Sequence, residues 1–271
     1  MGKVLCEGGL VIFASLFFLK WGVHTGWTFA FLLLSTFIFL LSLYHFKVIP
    51  KELGNDQVIR FKKIYAEVIR EFLQLAYLRW TILFIFIYHF AENQLSKIVP
   101  LFLLDKNGLN LSTTQVGVIN GALATVAMLA GILLSSAILR RISLNRCLVP
   151  ITVFAGITNI GYVLLSLYTI QNIYWVALIL SMAQFGFGLA NGAYLLFLLH
   201  SFGVGKYPMS MYAVGTALMG LSVTIGGALS GYIQYWSGYQ GFFLWILFLS
   251  VVVIIFSIFL IRKENIVAHT I

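Results

Sequence analysis

The stretch that decides the fold spans residues 113–139 and reads TTQVGVINGALATVAMLAGILLSSAIL. It contains no charged residue, and it is longer than the roughly 20 apolar residues that an α-helix needs to cross a hydrocarbon core of about 30 Å. Transmembrane β-strands are shorter and alternate apolar with polar residues, so this continuous run excludes a barrel. The stretch therefore predicts a membrane-spanning helix.

Seven further apolar runs fill most of the chain and predict the same structure. The eight predicted spans are Val4–Leu19, Trp27–Phe46, Ala76–Leu104, Thr113–Leu139, Cys147–Leu167, Tyr174–Leu199, Met209–Tyr235 and Phe242–Ile261. The composition agrees, because 61% of the residues are hydrophobic, 9% are charged and the mean hydropathy is +0.99. Soluble domains are not this apolar. We predict an all-α, multi-pass membrane protein.

The basic residues indicate the orientation of these spans. If the loops alternate between the two sides, 14 of the 17 Lys and Arg residues lie on the side of the segment 47–79. Only Lys20, Lys97 and Lys106 fall on the other side. Cytoplasmic loops of membrane proteins carry such an excess. The formal net charge of +9 therefore reflects orientation in the cytoplasmic (inner) membrane, with both termini cytoplasmic, and does not predict nucleic-acid binding.

The longest hydrophilic segment divides the chain into three predicted parts. Residues 1–46 hold two helices, residues 47–75 form a cytoplasmic amphipathic linker, and residues 76–271 form a six-helix bundle with a cytoplasmic tail. Within the linker, an apolar stripe recurs at helical spacing and consists of Val58, Phe61, Tyr65, Val68 and Phe72. Two interpretations remain open: a helix lying on anionic lipid, or a helix packed on the floor of the bundle.

The six-helix part contains an internal repeat with an offset of 95 residues. Shifting residues 113–143 by this offset aligns Gly131 with Gly226 and Ser135 with Ser230. Because equivalent points are three spans apart, the repeated units should have opposite directions in the membrane. Inverted three-helix repeats build each half of the major facilitator fold.

No set of catalytic or metal-binding residues emerges, so we do not expect an enzyme. The site-like cluster lies in the third span and reads HFAENQLSK at residues 89–97. A charge inside a membrane helix costs about 2.5 kcal/mol or more, so Glu92 should face a cavity or a partner. Glu92 could line a transport path or link two helices, and Lys97 could serve the path or extend to the interface.

A second polar patch lies in the sixth span and reads QFGFGLAN at residues 184–191. Its amides could bind a polar ligand or form ordinary hydrogen bonds between helices. The complete set of candidate residues for the substrate and proton path is His89, Glu92, Asn93, Gln94, Lys97, Asn120, Gln184, Asn191, Tyr194 and Tyr212. The aromatic residues Trp236, Tyr239 and Trp245 are expected at the membrane interface.

These motifs resemble the muropeptide-permease (AmpG-like) branch of the major facilitator superfamily. AENQL at residues 91–95 is similar to that family's seventh-helix motif, and AQFGFG at 183–188 is similar to its tenth-helix motif, with Ala183 where the family has Glu. The resemblance implies a major facilitator fold in which this chain supplies helices five to twelve, that is, two helices of the N-terminal half and the complete C-terminal half. It also implies a cytoplasmic gate loop with Arg140, Arg141 and Arg146.

The resemblance further implies a secondary active transporter that works by alternating access. It would move a polar solute such as a cell-wall sugar–peptide, with the proton gradient as driving force and no cofactor. One alternative is a non-transporting remnant or partner protein, since four helices of the usual twelve would be missing. Another is a permease for a different solute, such as an oligosaccharide or a coenzyme thioester.

Reporter fusions test the predicted orientation. Fusions after Lys47 and after Arg146 should report the cytoplasm, and a fusion at Asn107 should report the opposite side, because the basic loops stay where they are synthesised. Alkaline phosphatase and fluorescent-protein fusions at the same three positions give complementary signals. Reversed signals at Asn107 and Arg146 would contradict the orientation.

Overall fold

The described residues form helices joined by short loops. A computed structural model describes residues 22–48, 57–74, 78–168, 170, 172–203 and 206–268. The first helices are α1 (Val23–Val48), α2 (Gln57–Leu73), α3 (Leu78–Leu104), α4 (Thr113–Leu139), α5 (Leu144–Tyr168) and α6 (Ile173–Phe202). The final helical stretch, Pro208–Ala268, is interrupted at Gly238, whose φ of 68° lies outside the helical region. It therefore consists of α7 (residues 208–237) and α8 (residues 239–268).

The apolar helices match the predicted spans. Among the described residues, five stretches are long and apolar enough to cross a membrane, or up to six if the bent pair α2–α3 forms one span. One of the five, Pro208–Ile261, has 54 residues. Its length of about 80 Å at 1.5 Å per residue is far too great for one crossing, so the break at Gly238 makes it two. The all-α membrane class is confirmed, and the predicted span Val4–Leu19 lies outside the described residues.

The internal repeat is confirmed by the positions of the helices. Helices α6, α7 and α8 each begin 95 residues after α3, α4 and α5, respectively. Packing repeats as well, because α4 packs on α6 while α7 packs on α3. Within these pairs, a Cβ at Gly131 would overlap the carbonyl oxygen of Phe185, and one at Gly226 would come within 3.4 Å of that of Phe90. The two contacted residues, Phe90 and Phe185, are also 95 residues apart.

The loops separate into two groups at opposite ends of the bundle. At one end, the Tyr239 hydroxyl donates to Asp105 Oδ2 at 2.8 Å, and Gln240 donates to the carbonyl oxygen of Ser166 at 3.3 Å. Hydrogen bonds from the backbone amide of Asn107 and from Tyr239 hold the pKa of Asp105 below its usual value. This end joins α3–α4, α5–α6 and α7–α8, as the alternation of loops predicts. Which end faces the cytoplasm stays a prediction.

At the opposite end, α2 is attached to the loop between α6 and α7. Glu67 Oε2 accepts hydrogen bonds from Lys206 Nζ at 2.9 Å and from the Tyr207 hydroxyl at 2.7 Å. The backbone amide of Lys206 donates to Glu71 Oε1 at 3.2 Å. The hydrogen bond to Glu67 raises the pKa of Lys206 above its ordinary value. These bonds fix the α2 helix to the floor of the bundle.

The amphipathic linker therefore packs on the bundle, but only part of the predicted apolar stripe does so. Val68 is buried, and Phe72 stacks on Phe202 with ring centroids 5.9 Å apart. Tyr65, from the same predicted stripe, is exposed and does not pack on the bundle. The side chains of Val58 and Phe61 are not among those that the structure describes. The helix turns its acidic residues Glu67 and Glu71 toward the bundle, which the apolar pattern alone did not predict.

Two close helix contacts hold the bundle together. In the α4–α6 contact, a Cβ at Gly188 would overlap the carbonyl oxygen of Met128, so only glycine permits this approach. In the α3–α7 contact, the buried Ser222 hydroxyl donates to the carbonyl oxygen of Phe86 at 3.0 Å. Without a hydrophobic force between helices in lipid, such close packing and hydrogen bonding supply the association.

Replacing Gly188 by Ala should therefore destabilise the bundle by about 1–3 kcal/mol, since the new methyl group would push α4 from α6. Gly231→Ala in α7 is a matched control, because a Cβ there has no atom within 4 Å. Thermal unfolding in detergent, followed by labelling of the buried thiol of Cys147, measures both. Equal melting temperatures for the two variants would show that the α4–α6 contact does not limit stability.

Candidate functional site

Polar side chains converge on a pocket inside the six-helix bundle. The pocket has a volume of about 50 Å³ and lies between α3, α5, α6 and α8. Its polar lining consists of Tyr88, His89, Glu92, Thr152, Asn159 and Ser250. The remaining lining is apolar, with Phe187 and small side chains. A concave site with a few convergent polar groups is the usual form of a ligand pocket.

The pocket contains Glu92, the carboxylate that the sequence places in the third span. Glu92 Oε1 accepts a hydrogen bond from Gln184 Nε2 at 3.1 Å, which joins α3 to α6. The other polar atom of the Gln184 amide, Oε1, is buried and has no hydrogen-bond partner within the described residues. Glu92 thus lines a cavity and links two helices at the same time, so the two interpretations of this residue do not exclude each other.

His89 lies one turn before Glu92 and is enclosed by aromatic rings. Its ring centroid is 4.3 Å from that of Tyr194 and 5.6 Å from that of Phe187, both with near-perpendicular planes. Only 4% of His89 is exposed, and its Nε2 has no hydrogen-bond partner among the described residues. Tyr194 is fully buried with an equally unpartnered hydroxyl, and its ring stacks on Tyr88. His89 lines the pocket, whereas Tyr194 does not.

The structure divides the segment 89–97 between two faces of α3. His89 and Glu92 enter the pocket, whereas Asn93 and Lys97 turn toward α7. A Cβ at Gly226 would lie 3.2 Å from Asn93 Cβ, and one at Gly227 would lie 3.4 Å from Lys97 Cε. Lys97 is exposed and does not line the pocket. His89, Asn93 and Lys97 follow one another at intervals of four residues, yet of the three only His89 lines the pocket.

Gln94 lies on a third face of α3 and pairs with Trp245. Gln94 is completely buried, and its Oε1 accepts a hydrogen bond from Trp245 Nε1 at 3.2 Å. Trp245, expected in the interfacial aromatic belt, thus has a polar partner inside the bundle. Tyr239, expected in the same belt, donates to Asp105. The position of both residues at the membrane interface stays a prediction.

The remaining path candidates are spread over other helices. Asn120 is partly buried in a π-helical turn of α4 that covers Gly117–Leu123. Asn191 is partly buried on α6, and Tyr212 packs against the apolar cluster that contains Tyr194. None of these three lines the pocket. They stay predictions for the path as a whole.

One polar pair that lines the pocket, Asn159 and Ser250, was not among the residues predicted from the sequence. Asn159 Nδ2 donates to the Ser250 hydroxyl at 3.2 Å and thereby joins α5 to α8. Asn159 also separates the two helical stretches of α5, Leu144–Thr158 and Ile160–Tyr168. The sequence contained a signal for this pair, because Asn159 is a polar amide in the middle of an apolar run. A polar side chain inside the membrane needs a partner.

The candidate gate loop is a short turn between α4 and α5. Arg140, Arg141 and Arg146 are exposed, and none forms an ion pair within the residues that the structure describes. Ser143 begins α5 without a side-chain capping bond. Within the same described residues, no group of His, Cys, Asp or Glu is arranged to hold a metal ion.

One comparison with known proteins gives a match. Residues 8–209 match the family model described as Major Facilitator Superfamily. The matched range includes both hydrogen-bonded helices of the site, α3 and α6. No curated protein matches the chain.

The hydrogen bond between Trp245 and Gln94 offers a test of the buried network. Trp245→Phe should lower the free energy of unfolding by about 1–3 kcal/mol, because it leaves the buried Gln94 amide without its partner. The double variant Trp245→Phe with Gln94→Leu should recover much of this loss, since no polar group is then left unpaired. Melting temperatures of the wild type, both single variants and the double variant complete the cycle. Additive losses would contradict a direct interaction.

Proposed function

The chain belongs to the Major Facilitator Superfamily, and from this premise we propose that it takes up a polar solute through the pocket beside Glu92 by proton coupling. As a member of this family it is a multi-pass membrane protein and a secondary transporter, and its described helices fit part of the major facilitator fold. In the proposal, the solute is an anhydro-muropeptide or a similar sugar–peptide. The protein lies in the cytoplasmic membrane, has no catalytic role, and uses the proton gradient instead of a cofactor.

The observation that carries the proposal is the hydrogen bond from Gln184 to the Glu92 carboxylate at the edge of the pocket. A carboxylate inside a membrane bundle is costly and is usually retained for function. An ionised carboxylate only accepts hydrogen bonds, whereas a protonated one also donates. The state of Glu92 therefore changes which atom of the Gln184 amide can pair with it.

This change in hydrogen bonding can couple proton binding at Glu92 to the contact between α3 and α6. While Glu92 is ionised, it accepts from Gln184 Nε2. When Glu92 binds a proton, its O–H can donate to Gln184 Oε1, which is buried and unpartnered within the described residues. The other oxygen of the acid can still accept from Nε2, so the pair then gains a second hydrogen bond. Proton binding thereby changes the interaction between the first helices of the two inverted repeats, whose relative movement changes access to a midplane site.

The chemistry of the pocket suits hydroxyl and amide groups. Asn159, Ser250 and Thr152 supply neutral donors and acceptors, and Phe187 supplies an aromatic wall. The cavity itself is small, with a volume of about 50 Å³, far below the range of about 300–1,000 Å³ for small-molecule pockets. It has room for a few water molecules, so in the proposal the surrounding helices must separate to admit a sugar ring or a short peptide portion. An oligosaccharide or coenzyme thioester meets the same donors, and competition with labelled solute separates these choices.

The variant Glu92→Gln should abolish uptake driven by a proton gradient, because the amide cannot bind and release the proton. Its shape and hydrogen bonding remain, so expression and melting temperature should change little. Exchange of labelled anhydro-muropeptide across proteoliposomes without a gradient should persist, since exchange needs no net proton transfer. Uptake and exchange are measured per folded molecule of the full-length protein.

Glu92→Ala provides the structural control. If Glu92 only links helices, Glu92→Gln lowers stability somewhat and Glu92→Ala lowers it more, with transport falling in proportion to folded protein. Normal proton-driven uptake per folded molecule in the Gln variant would remove Glu92 from the mechanism. Absence of any transported solute in the wild type would favour a non-transporting partner protein.

A further inference from the structure

Helix α2 has a second face that the bundle does not use. Its inner face consists of Glu67, Val68, Glu71 and Phe72, which contact the end of α6 and the following loop. Its outer face consists of Tyr65, Ile69 and Leu73, which are 68%, 52% and 66% exposed. These three residues recur every fourth position and so form one continuous apolar stripe. Large apolar side chains in such a stripe mark an interaction surface.

The direction of α2 places this stripe along the membrane surface. Tyr65–Leu73 is bent by 92° from Leu78–Leu104, which is α3, the third predicted span. With α3 as a span, a helix perpendicular to it runs parallel to the plane of the bilayer. Because only residues 74–77 separate the two helices, α2 then lies at the end of that span, and its exposed stripe borders the packed residues Val68 and Phe72 along the helix.

Helix α2 carries more basic than acidic residues. The helix contains four basic residues, Arg60, Lys62, Lys63 and Arg70, against two acidic residues, Glu67 and Glu71. Both acidic side chains are bound on the inner face to Lys206 or its backbone amide. Arg70 is exposed and lines a shallow pocket with Glu67, Glu71 and Lys206. By sequence the helix has two more basic than acidic residues, four against two.

We propose that the outer face of α2 binds the anionic headgroup region of the membrane. Apolar side chains of Tyr65, Ile69 and Leu73 insert between the headgroups, and the basic residues attract the anionic lipids. An apolar face combined with basic residues is the pattern of helices that lie in the membrane interface. The same helix is thus a packed linker on one side and a lipid contact on the other. The inference is independent of the transported solute.

The test uses a fluorescent probe on the outer face of the full-length protein. An NBD label is attached to Ile69→Cys in a background with Cys6→Ser and Cys147→Ala. The protein is placed in nanodiscs of phosphatidylcholine alone or mixed with phosphatidylglycerol. In the anionic discs we expect a blue-shifted emission and quenching by brominated lipids. A label at Asn145→Cys, exposed in the first helical turn of α5 at the same end of the bundle, is the matched control and should show neither change.

The basic residues are then tested directly. Arg70→Gln combined with Lys62→Gln and Lys63→Gln should reduce the difference between anionic and neutral discs by at least half, as should high salt. Melting temperatures of the labelled proteins confirm that the fold is kept. Identical probe emission in both lipids would overturn the proposal. A shift that depends on protein concentration, or that persists in detergent, would also overturn it by identifying a second copy or another protein segment as the occupant.

Discussion

The close approach of helix backbones at glycine positions is the constraint on which the rest of this structure depends. Lipid tails are as apolar as the helices, so apolar surface alone does not drive the helices together. Gly131 and Gly188 let α4 and α6 come into backbone contact, and Gly226 gives α7 a similar approach to α3. These contacts fix the heights of α3 and α6. The hydrogen bond between Glu92 and Gln184 depends on that register, because one turn of displacement is about 5.4 Å.

The site arises where the two repeats stop being equivalent. Under the offset of 95 residues, Glu92 corresponds to Phe187 and Gln184 corresponds to His89. The backbone therefore presents the same contact twice, once as the hydrogen bond from Gln184 to Glu92 and once as the ring contact between His89 and Phe187. One copy is polar and able to titrate, and the other is mainly aromatic. A symmetric scaffold with an asymmetric centre thus places the Glu92 carboxylate beside a polar amide and an aromatic wall.

Helix α2 connects this centre to the end of the bundle. It is bent sharply against α3, the helix that carries Glu92, and it is bound to the loop after α6, the helix that carries Gln184. A change in the relative position of α3 and α6 must therefore be accommodated at α2 as well. The exposed ion pair of Glu67 and Lys206 is weak by itself, since surface pairs contribute about 0–1 kcal/mol. The buried contact of Phe72 with Phe202 gives the attachment its packing.

The sequence by itself determined which segments span the membrane, because hydrocarbon thickness sets a length that apolar runs must match. It also determined the repeat, the separation of the loops into two ends, and the presence of a membrane-embedded carboxylate at Glu92. Tertiary structure alone decided the direction in which each helix faces. Helices such as α4 and α6 are apolar on all sides, since lipid and protein interior accept the same side chains, so no polar stripe marks the buried face. For this reason, only the three-dimensional structure shows that Trp245 pairs with Gln94 and that His89 and Lys97 lie on different faces of α3.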